Sequence, residues 1–320
     1  MINVYFSYDY ELMWGVWPFK TGGYITKNIR HASDALANIL ALHQMSEIPA
    51  NVGIVGMMLD NSDPIDLREF QSFSLAQSQR LEKQLQRYGA EKNLWKISAW
   101  LRHSLQTNPW VTVGSHTYGH IFANDATEAE MQKDFKNQNV VFQSAFQKVP
   151  GFLIMPKNQV SHDILDLAEK YGMQTVRINP DCWLYQPQNK GIIVRALRFL
   201  DAYLPILELI PTQRPRCSSF KLVEGRFFLR PNHRFTFFDH LHFCRLKLGY
   251  YYCRISNKDF HLWTHPHNLA GDITKSRRNL KRIFDWLRLK ERQGELRFCR
   301  MDQAGTAAAR TDLRGVKQAI

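Results

Sequence analysis

The stretch WVTVGSHTYGH, Trp110 to His120, is an apolar run rich in β-branched residues that ends in two histidines four positions apart. Valine and threonine suit a pleated, buried strand, and Pro109 before the run disfavours a helical entry. The stretch therefore reads as a buried strand that delivers His116 and His120 to its carboxyl end. A second stretch near the N-terminus, VYFSYDYELMWG (Val4 to Gly15), has the same form. Its apolar run ends in Asp9 and Glu11.

Outward from these two stretches, apolar runs alternate with amphipathic segments. NVGIVGMML, GFLIMP, QTVRIN and DFHLWTH read as further strands. Ile29, Ala32, Leu36, Ile39 and Leu40 mark one helix face, and SLAQ through RHSL (74–105) reads as helical. ATEAEMQKDFKNQNVVFQSAF is a helix opened by a Thr127/Glu130 capping box. SHDILDLAEKYGM is a helix closed by Gly172. SRRNLKRIFDWLRLKERQG is the last helix, with Leu280, Ile283, Phe284 and Leu287 turned inward. Strand-then-helix repetition implies parallel strands covered by helices.

Composition sets the bounds. The chain has 320 residues, 44% of them hydrophobic, enough for one large barrel. No run reaches the length of a membrane span, and the first residues have no basic segment of a secretory signal, so a cytoplasmic protein, peripheral to the membrane at most, is expected. The five cysteines form no CxxC pair, which points to reduced thiols and against a cysteine-zinc site. No GxGxxG or Walker loop follows a strand. The net charge of +13 draws the chain toward polyanions. Much of the excess lies in a basic aromatic excursion at about 190–258, where a membrane-surface or anionic-glycan contact is expected. No nucleic-acid-binding motif is present, and nucleic acid is not an expected partner. The tail from about 306 to 320 is expected to be disordered.

The polar residues sit at strand ends. Asp9 and Glu11 follow the first strand and His116 and His120 follow VTVGS. Pro156, Lys157 and Asn158 follow GFLIM, Asp181 and Trp183 follow TVRIN, and His265 and His267 follow FHLWT. In a parallel barrel such ends share one rim, where these folds build their sites. His116 and His120, at i and i+4, present two imidazoles on one side of a short turn or helix start. With one carboxylate from Asp9 or Glu11 they match the donor set of a catalytic zinc centre, the other acid being placed to act as base. His265 is a candidate general acid and His267 a core or supporting histidine.

Together, YDYELMWG, HTYGH and LWTH resemble the motifs of the polysaccharide deacetylase family, carbohydrate esterase family four. The resemblance spans roughly residues 1–305, as a single domain, and implies a deformed (β/α)7 barrel. It further implies Asp9 as catalytic base, Glu11, His116 and His120 as ligands of a divalent metal with zinc the expected ion, and His265 as catalytic acid. Trp183 then resembles a wall of the sugar groove and Asp181 an acid of the fourth motif. Trp14, Pro156 and Asn158 complete the expected substrate contacts. The family's third motif carries an arginine that orients the base, where this chain offers Lys157 and Asn158. The implied function is metal-dependent removal of N-acetyl groups from a sugar or surface polysaccharide, with an N-acetylated glycan as substrate. The alternatives are hydrolysis of another C–N bond and a catalytically silent glycan-binding barrel in polysaccharide biosynthesis.

Overall fold

The computed structural model describes residues 1–17, 23–60, 75–185, 189, 191–210, 221–229 and 235–303. The expected disordered tail, 306–320, lies outside the described residues. The strands are β1 (Ile2–Tyr10), β2 (Ala50–Ile54), β3 (Val111–Ser115), β4 (Phe152–Ile154), β5 (Thr175–Ile178), β6 (Lys221–Glu224), β7 (Phe227–Phe228), β8 (Phe260–Thr264) and β9 (Leu296–Phe298). The helices are α1 (Gly23–Arg30), α2 (Ala32–Ser46), α3 (Leu75–Tyr88), α4 (Ala99–Thr107), α5 (Glu128–Phe146), α6 (His162–Lys170), α7 (Ile192–Leu200), α8 (Thr236–Ile255), α9 (Pro266–Leu269) and α10 (Ile273–Arg292).

The strands run β6-β5-β4-β3-β2-β1-β8-β7, with β9 added beside β1. Every pairing is parallel. β2 and β3 are buried along their whole length and β1 at every position but Asn3, as strands covered on both faces must be.

One segment closes the barrel. Residues 221–224 pair with β5, setting Glu224 opposite Ile178, and residues 227–228 pair with β8, setting Phe227 opposite Leu262. The change of partner falls at Gly225 and Arg226, where Gly225 N–H donates to Ile178 and Trp263 Nε1 donates back to the Gly225 carbonyl. The 221–228 segment thus fills the seventh position beside β1, β2, β3, β4, β5 and β8, and the architecture is the deformed (β/α)7 barrel. The basic aromatic stretch supplies this segment and α8.

Local chemistry explains the helices that sequence located. Thr127 and Glu130 form the reciprocal cap of α5, and Asp272 caps α10 by accepting from Lys275 N–H. Leu280, Ile283, Phe284 and Leu287 are buried. Among the described residues, no helix is long and apolar enough to cross a membrane. Because all strands run one way, their carboxyl ends share one rim.

Candidate metal and catalytic centre

The ends of β1, β3 and β8 converge there. Glu11, His116 and His120 place ligand atoms within 4.8 Å of one another, and Asp9, Glu11 and His265 form an overlapping group. His116 Nε2 is 2.9 Å from Glu11 Oε1, His120 Nε2 is 3.4 Å from the same oxygen, and His265 Nε2 is 3.2 Å from it. His265 Nε2 also lies 3.8 Å from Asp9 Oδ2.

The histidines are presented by a turn, the first of the two settings expected from the i, i+4 spacing, and not by a helix start. Thr117 and His120 both adopt left-handed backbone, at φ 61 and φ 55. The turn is tied down from several sides. Tyr118 and Gly119 donate their N–H groups to the two oxygens of Asp134, each at 2.7 Å. Gly56 and Met57, after β2, donate to the carbonyls of Thr117 and Tyr118. Burial pushes the Asp134 carboxyl up to about 7, although both N–H bonds favour its charged form.

The ring roles follow. His116 Nδ1 is 2.7 Å from the Ile154 carbonyl, which can only accept, so Nδ1 carries the proton and Nε2 faces Glu11. Neither ring nitrogen of buried His120 makes a hydrogen bond, and burial lowers its pKa despite Glu11. Burial disfavours an ionised Glu11, but His265 and His120 outweigh it and hold this acid well below the usual carboxylate range. Gly15 leaves Glu11 its room: a Cβ there would fall 1.7 Å from Glu11 Oε2.

A buried arginine does meet Asp9, and it comes from β5 rather than from the turn after β4. Arg177 of β5 is buried and grips Asp9 through both terminal nitrogens, at 2.6 and 2.5 Å. It also donates to Ser7 Oγ and to Asn158 Oδ1, and its guanidinium stacks 4.4 Å from the Trp263 ring centre. Burial alone would raise the Asp9 carboxyl, yet Arg177 outweighs it and keeps Asp9 below its ordinary value. Lys157 does not replace the arginine. Its ammonium lies 3.4 Å from the centre of the Phe122 ring. The sequence did carry the signal: Arg177 is the single cation in the buried run TVRI.

Burial disfavours a charged His265, but Glu11 and Asp9 outweigh that and raise its pKa. Its neighbour His267 is held by burial down to about 4.

The remaining candidates divide. Asn158, Asp181, Asn179, Gln159 and Tyr185 line a cleft of about 480 Å3. Asn158 joins this cleft to the Arg177–Asp9 pair, since its side chain accepts from Arg177 and donates to Asn179. Pro156 is buried and starts the turn after β4. Trp183 is 47% exposed. Trp14, expected to stack on a sugar ring, is fully buried instead. Its indole donates to the Trp95 carbonyl at 2.8 Å and packs edge-on against the Trp95 ring, so it belongs to the core.

The family profile described as Polysaccharide deacetylase matches residues 77–176, which include His116 and His120. None of the curated proteins matches the chain in sequence. Among solved structures, a protein of Mycobacterium smegmatis assigned to the polysaccharide deacetylases is similar at 10% identity and TM-score 0.52, covering 88% of this chain and 83% of its own. Puue allantoinase is similar at 12% identity and TM-score 0.49, covering 93% and 87%. A family 4 carbohydrate esterase from Streptomyces lividans, in complex with acetate, is similar at 10% identity and TM-score 0.40, covering 95% of each chain. The first of these supports the barrel, and the resemblance to the polysaccharide deacetylase family that the motifs indicated stands.

Proposed function

We propose that this chain hydrolyses N-acetyl groups on a sugar polymer with the help of a divalent metal. The observation that carries the reading is the donor set of Glu11, His116 and His120. An ionised carboxylate, an imidazole whose Nδ1 proton is committed to Ile154, and a buried imidazole without a hydrogen bond converge on one point. This fits a cation with N and O ligands, zinc being the expected one. The backbone hydrogen bond to His116 Nδ1 is the kind of outer contact that fixes a ligating tautomer. A bound divalent ion would supply Lewis acidity toward an amide carbonyl and toward water.

The chain's own residues do the proton work. Asp9, kept ionised and fixed in plane by Arg177, accepts a proton from the attacking water on a lone pair that Arg177 leaves open. His265, whose Nε2 lies 3.2 Å from Glu11 Oε1 and 3.8 Å from Asp9 Oδ2, holds a proton on Nε2 and delivers it to the departing amine nitrogen. The amide-lined cleft beside Asn158 holds neighbouring sugar hydroxyls, and Trp183 offers a ring face at its margin.

A catalytically silent barrel was attractive only while the base lacked its arginine. The Arg177–Asp9 pair removes that reason, and no observation favours another C–N bond. The test is acetate release from N-acetylated oligosaccharides by metal-loaded and chelator-treated protein, beside metal analysis. The proposal expects about one divalent ion per chain and acetate release that is lost with the chelator and with His116→Ala. A metal-loaded protein that binds glycan and releases no acetate, or a His116→Ala variant with full activity and metal content, would refute it.

A further inference from the structure

We propose that the outward face of α8, together with the aromatic cluster at its start, docks on an anionic lipid surface. The helix has 20 residues and so runs about 30 Å. Its inner face is buried through Phe243, Leu246, Tyr250 and Cys253. A second apolar line, Phe237, Leu241, Cys244, Leu248, Tyr251 and Ile255, alternates steps of four and three and so keeps to one other side of the helix. Most of that line faces outward, with exposures from 39% at Tyr251 to 87% at Ile255. Exposed apolar area of this extent on one face marks an interaction surface.

At the start of α8 the line meets a chain of rings. Phe237 lies 5.8 Å from Phe238, Phe238 lies 5.2 Å from Tyr203, and Tyr203 lies 5.5 Å from Phe199 of α7. Helix α7 buries none of its residues and carries exposed Ile192, Ile193 and Arg195. The surface therefore continues from one helix to the other. It also connects with the cleft side of the barrel, because Arg198 of α7 donates to the Leu184 carbonyl beside Tyr185.

Charge selects the occupant. Lys247 and Arg254 stand seven residues apart along one flank of the α8 line, Arg254 also pairing with Glu295, and the Arg282 guanidinium of α10 reaches the same flank, where it donates to His240 Nδ1. The sequence over 190–258 carries thirteen Lys or Arg against four Asp or Glu; Arg226 and Arg245 are buried in ion pairs, while Arg195 is exposed on α7. A second copy of the chain would bring the same positive flank and be repelled, whereas anionic headgroups are attracted by it. Apolar side chains between cations are the pattern of a helix lying in the plane of a headgroup layer.

The test is co-sedimentation of the full chain with vesicles of phosphatidylcholine alone and of phosphatidylcholine with phosphatidylglycerol, at low and high salt, with light scattering of the free protein. The expected result is binding to the anionic vesicles only, weakened by salt. Leu248→Glu with Ile255→Glu should lower the partition roughly tenfold or more, because two apolar contacts are lost and two repelled charges added, while the melting temperature stays unchanged. Equal binding of the double variant, or no binding to anionic vesicles, overturns the proposal. A free dimer that the double variant dissociates, without vesicle binding, overturns it in favour of a second copy.

Discussion

Arg177 and Asp9 are both buried and exchange two charge-assisted hydrogen bonds, so neither can be altered without leaving the other exposed to the low dielectric of the barrel. Breaking a buried pair by removing one partner costs about 3–5 kcal/mol, which confounds a simple deletion. Lysine at this position keeps the charge and loses the planar fork. Arg177→Lys should therefore reduce kcat for acetate release roughly 100-fold, the scale of general-base catalysis, while costing far less stability than Arg177→Met. Turnover at saturating substrate and thermal melts check this together. A lysine variant that works at the normal rate would mean that the guanidinium does not orient the base. Asp134 offers a second case, since it touches no proposed ligand side chain and binds the backbone between the two histidines. Asp134→Asn keeps one acceptor and should weaken divalent-metal affinity about 10- to 100-fold, read by competition with a chromophoric chelator. Unchanged affinity would show that the other ties hold the turn without it.

At the scale of elements, what sequence made legible was whatever had a long period or a local cap. The α5 capping box, the α10 inner face and the buried β3 run could be read because each signal repeats over a turn or more. The strand 221–228 could not. It divides into pieces of four and two residues around Gly225–Arg226, with no alternation, inside a stretch whose dominant pattern is charge. The site residues Asp9, Glu11, His116, His120 and His265 were legible because polar groups after apolar runs stand out. Arg177 left a weaker mark, a single cation inside the buried run TVRI, and what it pairs with, 168 positions away, shows only once the barrel is formed. Trp14 misled for the complementary reason, since an aromatic near a strand end can face either way. The short segment after β1 carries its own prediction. Gly15 stands where any side chain would overlap Glu11, whose Cδ would be 2.5 Å from the new Cβ. Gly15→Ala should lower metal affinity at least about tenfold by displacing the carboxylate, and should cost the metal-free protein about 1–3 kcal/mol, because the new Cβ also meets Glu11 Cβ. Normal metal affinity in that variant would mean that Glu11 can move and still reach His116 and His120.

For the whole molecule, the barrel buries titratable groups far from the proposed chemistry, and these tie its stability to pH. His43 of α2 is wedged between β1 and α10, its ring edge-on to Phe6, Tyr8 and Phe284. Its Nδ1 donates to the Ile48 carbonyl and its Nε2 accepts from the Tyr8 hydroxyl, so the neutral ring is fully satisfied. Burial lowers its pKa to about 3, against 6.5 for the free side chain. The folded state therefore binds fewer protons here than the unfolded state, and stability must rise with pH across this window. The contribution is fully present above about 6.5 and is lost as pH falls toward about 3, at roughly 1.4 kcal/mol per pH unit inside the window. From pH 7.5 to 5 the loss from this one residue is about 2 kcal/mol. Other groups also titrate over that range, so the decisive quantity is the difference in slope between the parent chain and His43→Gln. Urea unfolding at several pH values should give a steeper dependence for the parent by about 1.4 kcal/mol per unit below pH 6. The glutamine variant will be less stable at every pH, because its amide cannot reproduce the ring's packing, and that offset does not enter the slope. Parallel curves would mean that His43 is protonated within the fold, and that the aromatic layer between β1 and α10 admits a charge its packing gives no room to solvate.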